Sequence, residues 1–152
     1  MTKKENNKRL GDIGENLVAK ILNGVLSENA YDMVKDGVLP NGEDFEVKTQ
    51  NRHPNRKMPY FSIDDIDNNN KQKCLNVENL YFVEYDSTND IKIWHCTNPR
   101  DYIIYETYAT TYSPSLKKIG WDINKMILIH TEYDPILAEE MRSLSQAKQF
   151  RK

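Results

Sequence analysis

Cysteine is scarce in this sequence: two residues, Cys74 and Cys96, in a chain of 152. They match no zinc-ligand spacing and are too few for a disulfide framework, which excludes a small stapled fold and points to a reducing, cytoplasmic setting. The histidines, His53, His95 and His130, share no metal-ligand spacing either and read as structural or exposed. No apolar run approaches the roughly 18 residues of a membrane span. The polar, basic start from Met1 to Arg9 lacks the apolar segment of a signal peptide, so no membrane partner is expected. A large excess of one charge is missing as well. The formal net charge of -2 does not advertise nucleic-acid binding, although local patches outweigh totals and an acidic metal site adds negative charge itself. Internal repeats, linkers and low-complexity segments are absent.

What is present is enough for one domain. Tyr, Ile, Leu and Val are spread throughout, so the chain folds rather than staying disordered. Residues 1–9 read as a flexible basic arm and residues 10–152 as a single domain. From Asp12 to about Leu26, Ile13, Leu17, Ile21 and Val25 recur every four residues and form one helical stripe. Asp12 can cap it, with Glu15 three residues on; Glu15 also borders the packed face beside Val18 and Leu22. A capping role and a site role both suit it. A short strand follows at 31–34, then turn signals at Asp36-Gly37 and Pro40-Asn41-Gly42, then a strand over 44–50. A third strand is expected at 60–63, with Ser62 capping a polar helix over 64–74. The segments 80–85 and 91–96 read as a hairpin around Asp86 to Asp90, 99–108 as a short helix, and 126–130 as a late strand. Asp134-Pro135 opens a final helix to about Phe150. The expected class is α/β (or α+β), with one mixed central sheet flanked by helices.

The chemistry gathers on the strand 44–50. Alternation places Phe45, Val47 and Thr49 on one face and Asp44, Glu46, Lys48 and Gln50 on the other. The same pattern suits an amphipathic strand showing charges to water. Joined by Asp32 on a neighbouring strand, however, Glu46 could share a hard divalent cation such as Mg²⁺, which takes a few oxygen ligands and keeps its waters. The Val47 carbonyl can supply another oxygen, because strand backbone lies beside its own side chains. Lys48, on the face of Glu46, can orient an attacking water or stabilise developing negative charge.

This order of elements resembles the PD-(D/E)XK nuclease superfamily, whose fold is the restriction-endonuclease-like one. A helix carries Glu15 within Gly14-Glu15, a first strand carries Asp32 within Tyr31-Asp32-Met33-Val34, and a second carries Glu46-Val47-Lys48. The likeness extends through 58–63 and 80–83, covers about residues 10–96, and is similar to restriction-associated nuclease domains and archaeal-type Holliday-junction resolvases. It implies Mg²⁺- or Mn²⁺-dependent hydrolysis of phosphodiester bonds by an endodeoxyribonuclease. Asp32 and Glu46 would be the metal ligands, Lys48 the catalytic lysine, Gln50 an auxiliary active-site residue, and Glu15 the helix carboxylate. No proline precedes Asp32, a departure from the pattern. Asp36 and Asp44 compete for the first acid; Asp32 is preferred because Asp36 sits in a turn and Asp44 is too near Glu46 along one strand.

The loop after the active strand carries Arg52, Arg56 and Lys57, where DNA phosphates can pass; a solvated turn is the ordinary alternative. Cleavage of both strands of a duplex calls for two active sites, which suits a homodimer. A phage- or mobile-element-borne DNA endonuclease is the leading expectation. The alternative is a catalytically inactive nuclease-like module that grips nucleic acid or a host protein.

Overall fold

Helix α1 spans Lys3–Leu22: it stops short of Leu26, since Val25 and Leu26 form a short strand instead, and it begins well before the expected start at Asp12. Thr2 caps it: the Glu5 N–H donates to Thr2 Oγ1 at 3.1 Å and the Thr2 N–H donates to Glu5 Oε1 at 3.3 Å. That reciprocal box satisfies two of the helix's orphan donors. Residues 3–9 are therefore helix and not a loose arm, and Asp12 lies inside it, paired with Lys8 one turn back at 3.0 Å. The helix ends at Asn23, whose φ of 56° is the left-handed cap conformation. The computed structural model describes residues 2–28, 35–51, 59–64, 68–107, 111–112 and 118–149.

The remaining elements follow in chain order. They are β1 (Val25–Leu26), β2 (Gly37–Val38), β3 (Asp44–Asn51), β4 (Tyr60–Asp64), α2 (Asn68–Asn76), β5 (Asn79–Tyr85), β6 (Asp90–Thr97), β7 (Ile103–Thr107), β8 (Lys118–Asp122), β9 (Ile127–Tyr133) and α3 (Pro135–Gln149). Six strands form a sheet in the order β1-β2-β3-β5-β6-β9. Its one parallel pair among the described strands is β3 with β5; the other neighbours run antiparallel. A parallel pair needs a crossover, and this crossover carries β4 and α2. The fold is mixed α/β, as expected, but a second sheet of three strands, β4-β8-β7, was not foreseen.

The large sheet is buried on both faces. Phe45, Val47, Tyr81, Val83, Ile91 and Ile93 face α1 and α3, packing with Leu10, Leu17, Val18, Ala138 and Met141. Leu80, Phe82 and Cys96 face the other way, against Phe61 and Ile63 of β4, Cys74 and Leu75 of α2, and Ile119 and Trp121 of β8. The three layers are helices, large sheet, and small sheet with α2. The unbroken buried run of β5 is what a strand covered on both faces requires. It also corrects the picture of β3 as a strand whose polar face meets water: Glu46 is 1% exposed.

The hairpin β5–β6 and strand β9 form where the alternation placed them. The final helix does too, capped by Asp134, whose Oδ1 accepts the Leu137 N–H at 3.0 Å. The stretch 99–108 differs from the expected short helix. It is a 3-10 turn over Pro99–Tyr102 followed by strand β7, because Ile103 and its neighbours pair with β8. Ser62 lies within β4 rather than at a helix cap. The strand expected at 31–34 lies outside the described residues. Asp36-Gly37 is not a free turn either: Gly37 pairs with Phe45 and Leu26. A Cβ at Gly37 would sit 2.5 Å from Phe45 Cζ, so only glycine allows β2 to lie against that ring.

Candidate functional site

The site forms where β2 runs out. β2 pairs with β3 through Phe45 and Asp44, and among the described residues no strand lies beside the outer edge of β3 from Glu46 onward. Asp36, the residue before β2, finishes the pairing in an unusual way. Its N–H donates to the Phe45 carbonyl at 2.9 Å, and its side-chain Oδ2 accepts the Val47 N–H at 2.8 Å. A carboxylate thus replaces a main-chain acceptor, and its other oxygen is left to face the site. A strand residue sends its N–H and C=O to the same edge, so the Val47 carbonyl lies on this edge as well.

Around it four more charged side chains meet. Glu46 and Lys48 come from β3, Lys73 from α2 and Glu15 from α1, and all line one cavity of about 650 Å³ with Asp36 and the first turns of α1. Lys73 Nζ stands 2.8 Å from Asp36 Oδ1 and 3.6 Å from Glu46 Oε1. Lys48 Nζ stands 3.7 Å from Glu46 Oε2. The Asp36 and Glu46 carboxyls face one another, yet among the described residues neither Glu46 oxygen has a hydrogen-bond partner of good geometry.

The electrostatics follow from that crowding. Burial, then the adjoining Asp36, push the Glu46 carboxyl well above its ordinary range, and Lys48 and Lys73 only partly oppose them. Burial also works to raise Asp36, but the Glu46 carboxyl, Lys73 and the Val47 N–H together hold it below its usual value. The two carboxyls titrate as one coupled pair, with Asp36 drawn toward ionisation and Glu46 toward holding a proton. Lys73 is lowered by burial but raised by more through Glu46 and Asp36, so it is charged. Burying an ionised carboxylate without enough positive charge costs several kcal/mol; another cation beside Glu46 would lift that cost and release its proton.

Glu15 is pulled the same way. Burial, then Asp36 and Asp12, raise its carboxyl to about 7 from an ordinary 4.5. The folded chain holds this proton more tightly than the unfolded one. The resulting stabilisation is full below about pH 4.5 and is lost as pH rises through about 7. A Glu15→Gln variant is expected to show a flatter melting temperature between those limits and to melt higher than wild type at pH 8. Parallel curves for the two proteins would contradict this.

Of the residues singled out in the sequence, Glu15, Glu46, Val47 and Lys48 meet in the cavity. Gln50 is on the expected face but is engaged elsewhere: its Nε2 donates to the Ser62 carbonyl and its Oε1 accepts the Ser62 N–H at 3.3 Å, tying β3 to β4. Asp32, Arg52, Arg56, Lys57 and His53 lie outside the described residues. His95 is hydrogen-bonded to Asn79 Oδ1 at 2.8 Å and His130 to Glu132 at 3.1 Å, both away from the cavity. Phe61 belongs to the core, stacked on Phe82 with ring centroids 4.5 Å apart. Two residues of the cavity carried no role in the expected site: Asp36, weighed as the first acid and set aside as a turn residue, and Lys73, on the polar helix. The parallel β3–β5 pair is the signal that would have found Lys73, since its crossover must carry α2 over the β3 edge.

Among the described residues no group of three or more His, Cys, Asp or Glu side chains could hold a metal ion. Asp36 and Glu46 nevertheless offer two carboxylates and the Val47 backbone one carbonyl. That all-oxygen set suits Mg²⁺ or Mn²⁺ with several waters retained. Glu46's buried oxygens without hydrogen bonds are the observation that fits such an ion. No family model matches the chain, and no curated protein matches it.

Proposed function

We propose that this chain is a metal-dependent DNA endonuclease of the PD-(D/E)XK kind, with Asp36 in the place first given to Asp32. The observation that carries the reading is Glu46. A carboxylate 1% exposed, facing a second carboxylate, with two lysines within 4 Å, is costly for stability alone. It makes physical sense where function needs a cation and a phosphate side by side. The order Glu15 on α1, Asp36 just before β2 and Glu46-Val47-Lys48 on β3 supports the family resemblance.

Asp36, Glu46 and the Val47 carbonyl would hold one Mg²⁺ or Mn²⁺, which when bound supplies an activated water and neutralises charge on a phosphoryl oxygen. Lys48, reaching over the face of Glu46, orients the attacking water and offsets charge building on the phosphate. Glu15, close to half-protonated near neutral pH, can donate or accept a hydrogen bond at the cavity wall. Lys4 and Lys8, on the α1 turns that line the cavity, suit the flanking phosphates. One observation favours the alternative of a binding module without catalysis: Lys73 already stands between the two carboxylates.

The test is a cleavage assay on supercoiled plasmid, single-stranded DNA and RNA with Mg²⁺, Mn²⁺ or chelator. Nicking or cutting of DNA that needs the metal supports the proposal. Cleavage confined to RNA reassigns the substrate. Binding without cleavage of any of them, unaffected by Glu46→Gln, selects the binding module.

A further inference from the structure

Lys73 comes from an element remote from the Glu-x-Lys strand, yet it makes a close ion pair in the site, 2.8 Å to Asp36. Its ammonium also lies 3.6 Å from Glu46 Oε1, so it spans the two carboxylates. Its side chain is 17% exposed and that of Asp36 10%, so water screens the contact weakly. A lysine is a compact point charge on a flexible stem with rotatable donors. It can bridge two acids without fixed geometry, and it can leave again by rotating its stem.

Resting on the proposed metal-dependent reading, we infer that Lys73 is the built-in counter-ion of the Asp36–Glu46 pair and exchanges with the divalent ion there. It is a positioning residue. Without metal it holds the two carboxylates together and keeps the buried edge of β3 close to neutral. A divalent ion bridging the same oxygens must displace it, because two cations within about 4 Å of each other between the same acids repel strongly in a weakly screened site. Lys73 therefore sets the affinity of the site: it weakens metal binding and steadies the metal-free fold. Lys48 does not duplicate it, since Lys48 approaches Glu46 from the other oxygen, Oε2, at 3.7 Å.

The experiment is calorimetric titration of Mn²⁺ into wild type, Lys73→Met and Lys73→Arg, without nucleic acid, alongside melting curves in chelator and in Mn²⁺. Lys73→Met is expected to bind Mn²⁺ about tenfold or more tightly than wild type. It should melt lower in chelator and gain more from Mn²⁺ than wild type does. Lys73→Arg, which keeps the charge, should bind no more tightly than wild type. A lysine with a merely structural role predicts the opposite, weaker binding in Lys73→Met as the site loosens. Should Lys73→Met fail to fold, Lys73→Gln, which keeps a donor for Asp36, carries the same comparison. If wild type binds Mn²⁺ and neither neutral variant binds it more tightly, the counter-ion role is overturned and the metal site stands. If none of the proteins binds Mn²⁺, the metal-dependent reading falls, and this inference with it.

Discussion

Glu46→Gln is expected to lower metal-dependent cleavage by about a thousandfold while leaving the chain folded. The substitution keeps the size and shape of a side chain that is 1% exposed, so it opens no cavity. It removes a carboxylate that stands beside both Asp36 and Lys48, and with it one of the two side chains proposed to hold the ion. Burial and Asp36 hold the Glu46 carboxyl well above its ordinary range. In the folded protein that proton is held more tightly than in the unfolded chain, so this residue's contribution to stability is present at low pH and fades as pH rises. A neutral amide escapes that loss. Glu46→Gln should therefore melt at or above the wild-type temperature at pH 8 while cutting no DNA. Loss of activity and gain of stability in one variant marks a residue kept for chemistry. A variant that cuts at the wild-type rate would remove Glu46 from the site, and one that fails to fold would make it a structural residue.

The second large effect is expected at a packing contact rather than at a charge. Gly14 lies where α1 presses on β3, and a Cβ there would sit 1.8 Å from Thr49 Oγ1 and 3.2 Å from Thr49 Cβ. Turning the threonine relieves the first contact and not the second, so the helix must also shift. Overpacking of this kind costs about 1–3 kcal/mol, against about 1 kcal/mol gained from replacing a helical glycine by alanine. Gly14→Ala should therefore destabilise the protein by up to about 2 kcal/mol, a fall of several degrees in melting temperature for a chain of this size. Gly11, one turn earlier, is the control: its Cβ would meet only Glu15 Oε2, at 3.8 Å. Gly11→Ala should be stabilising. Adding Thr49→Ala to Gly14→Ala should recover part of the loss, since it removes the atom in closest conflict. Melting curves of these variants check the argument, and equal effects at the two glycines would contradict it. The consequence reaches the site, because the seating of Gly14 on β3 brings Glu15 into the cavity.

Much of this was legible in the residues themselves. The alternation of 44–50, the hairpin around 86–90 and the Asp134-Pro135 helix start are local signals, and each element formed where its signal lay. Glu46-Val47-Lys48 was read from the same alternation. What escaped depends on contacts distant in sequence. Asp36 stands just before β2 begins at Gly37, and its side chain takes the hydrogen bond of Val47 in place of a main-chain acceptor; a turn-like dipeptide carries no trace of that. Lys73 arrives through a crossover that only the parallel pairing of β3 and β5 reveals. The start of α1 was missed because the apolar stripe begins at Leu10 and Ile13, whereas the helix begins with a polar capping box. The second sheet was missed because β7 and β8 become strands by pairing with each other and with β4. The apolar run Leu80-Tyr81-Phe82-Val83 within β5 is a local hint that the large sheet is covered on both faces.

The central claim is that Asp36 and Glu46 share one divalent ion. The direct measurement is the anomalous diffraction of a crystal of the protein soaked in Mn²⁺. The account predicts one strong peak between Asp36 and Glu46, about 2.1 Å from a carboxylate oxygen of each residue, with the Val47 carbonyl beside it and Lys73 swung away from Asp36. A crystal that binds Mn²⁺ elsewhere, or shows no peak there while Lys73 still spans the two carboxylates, would contradict it.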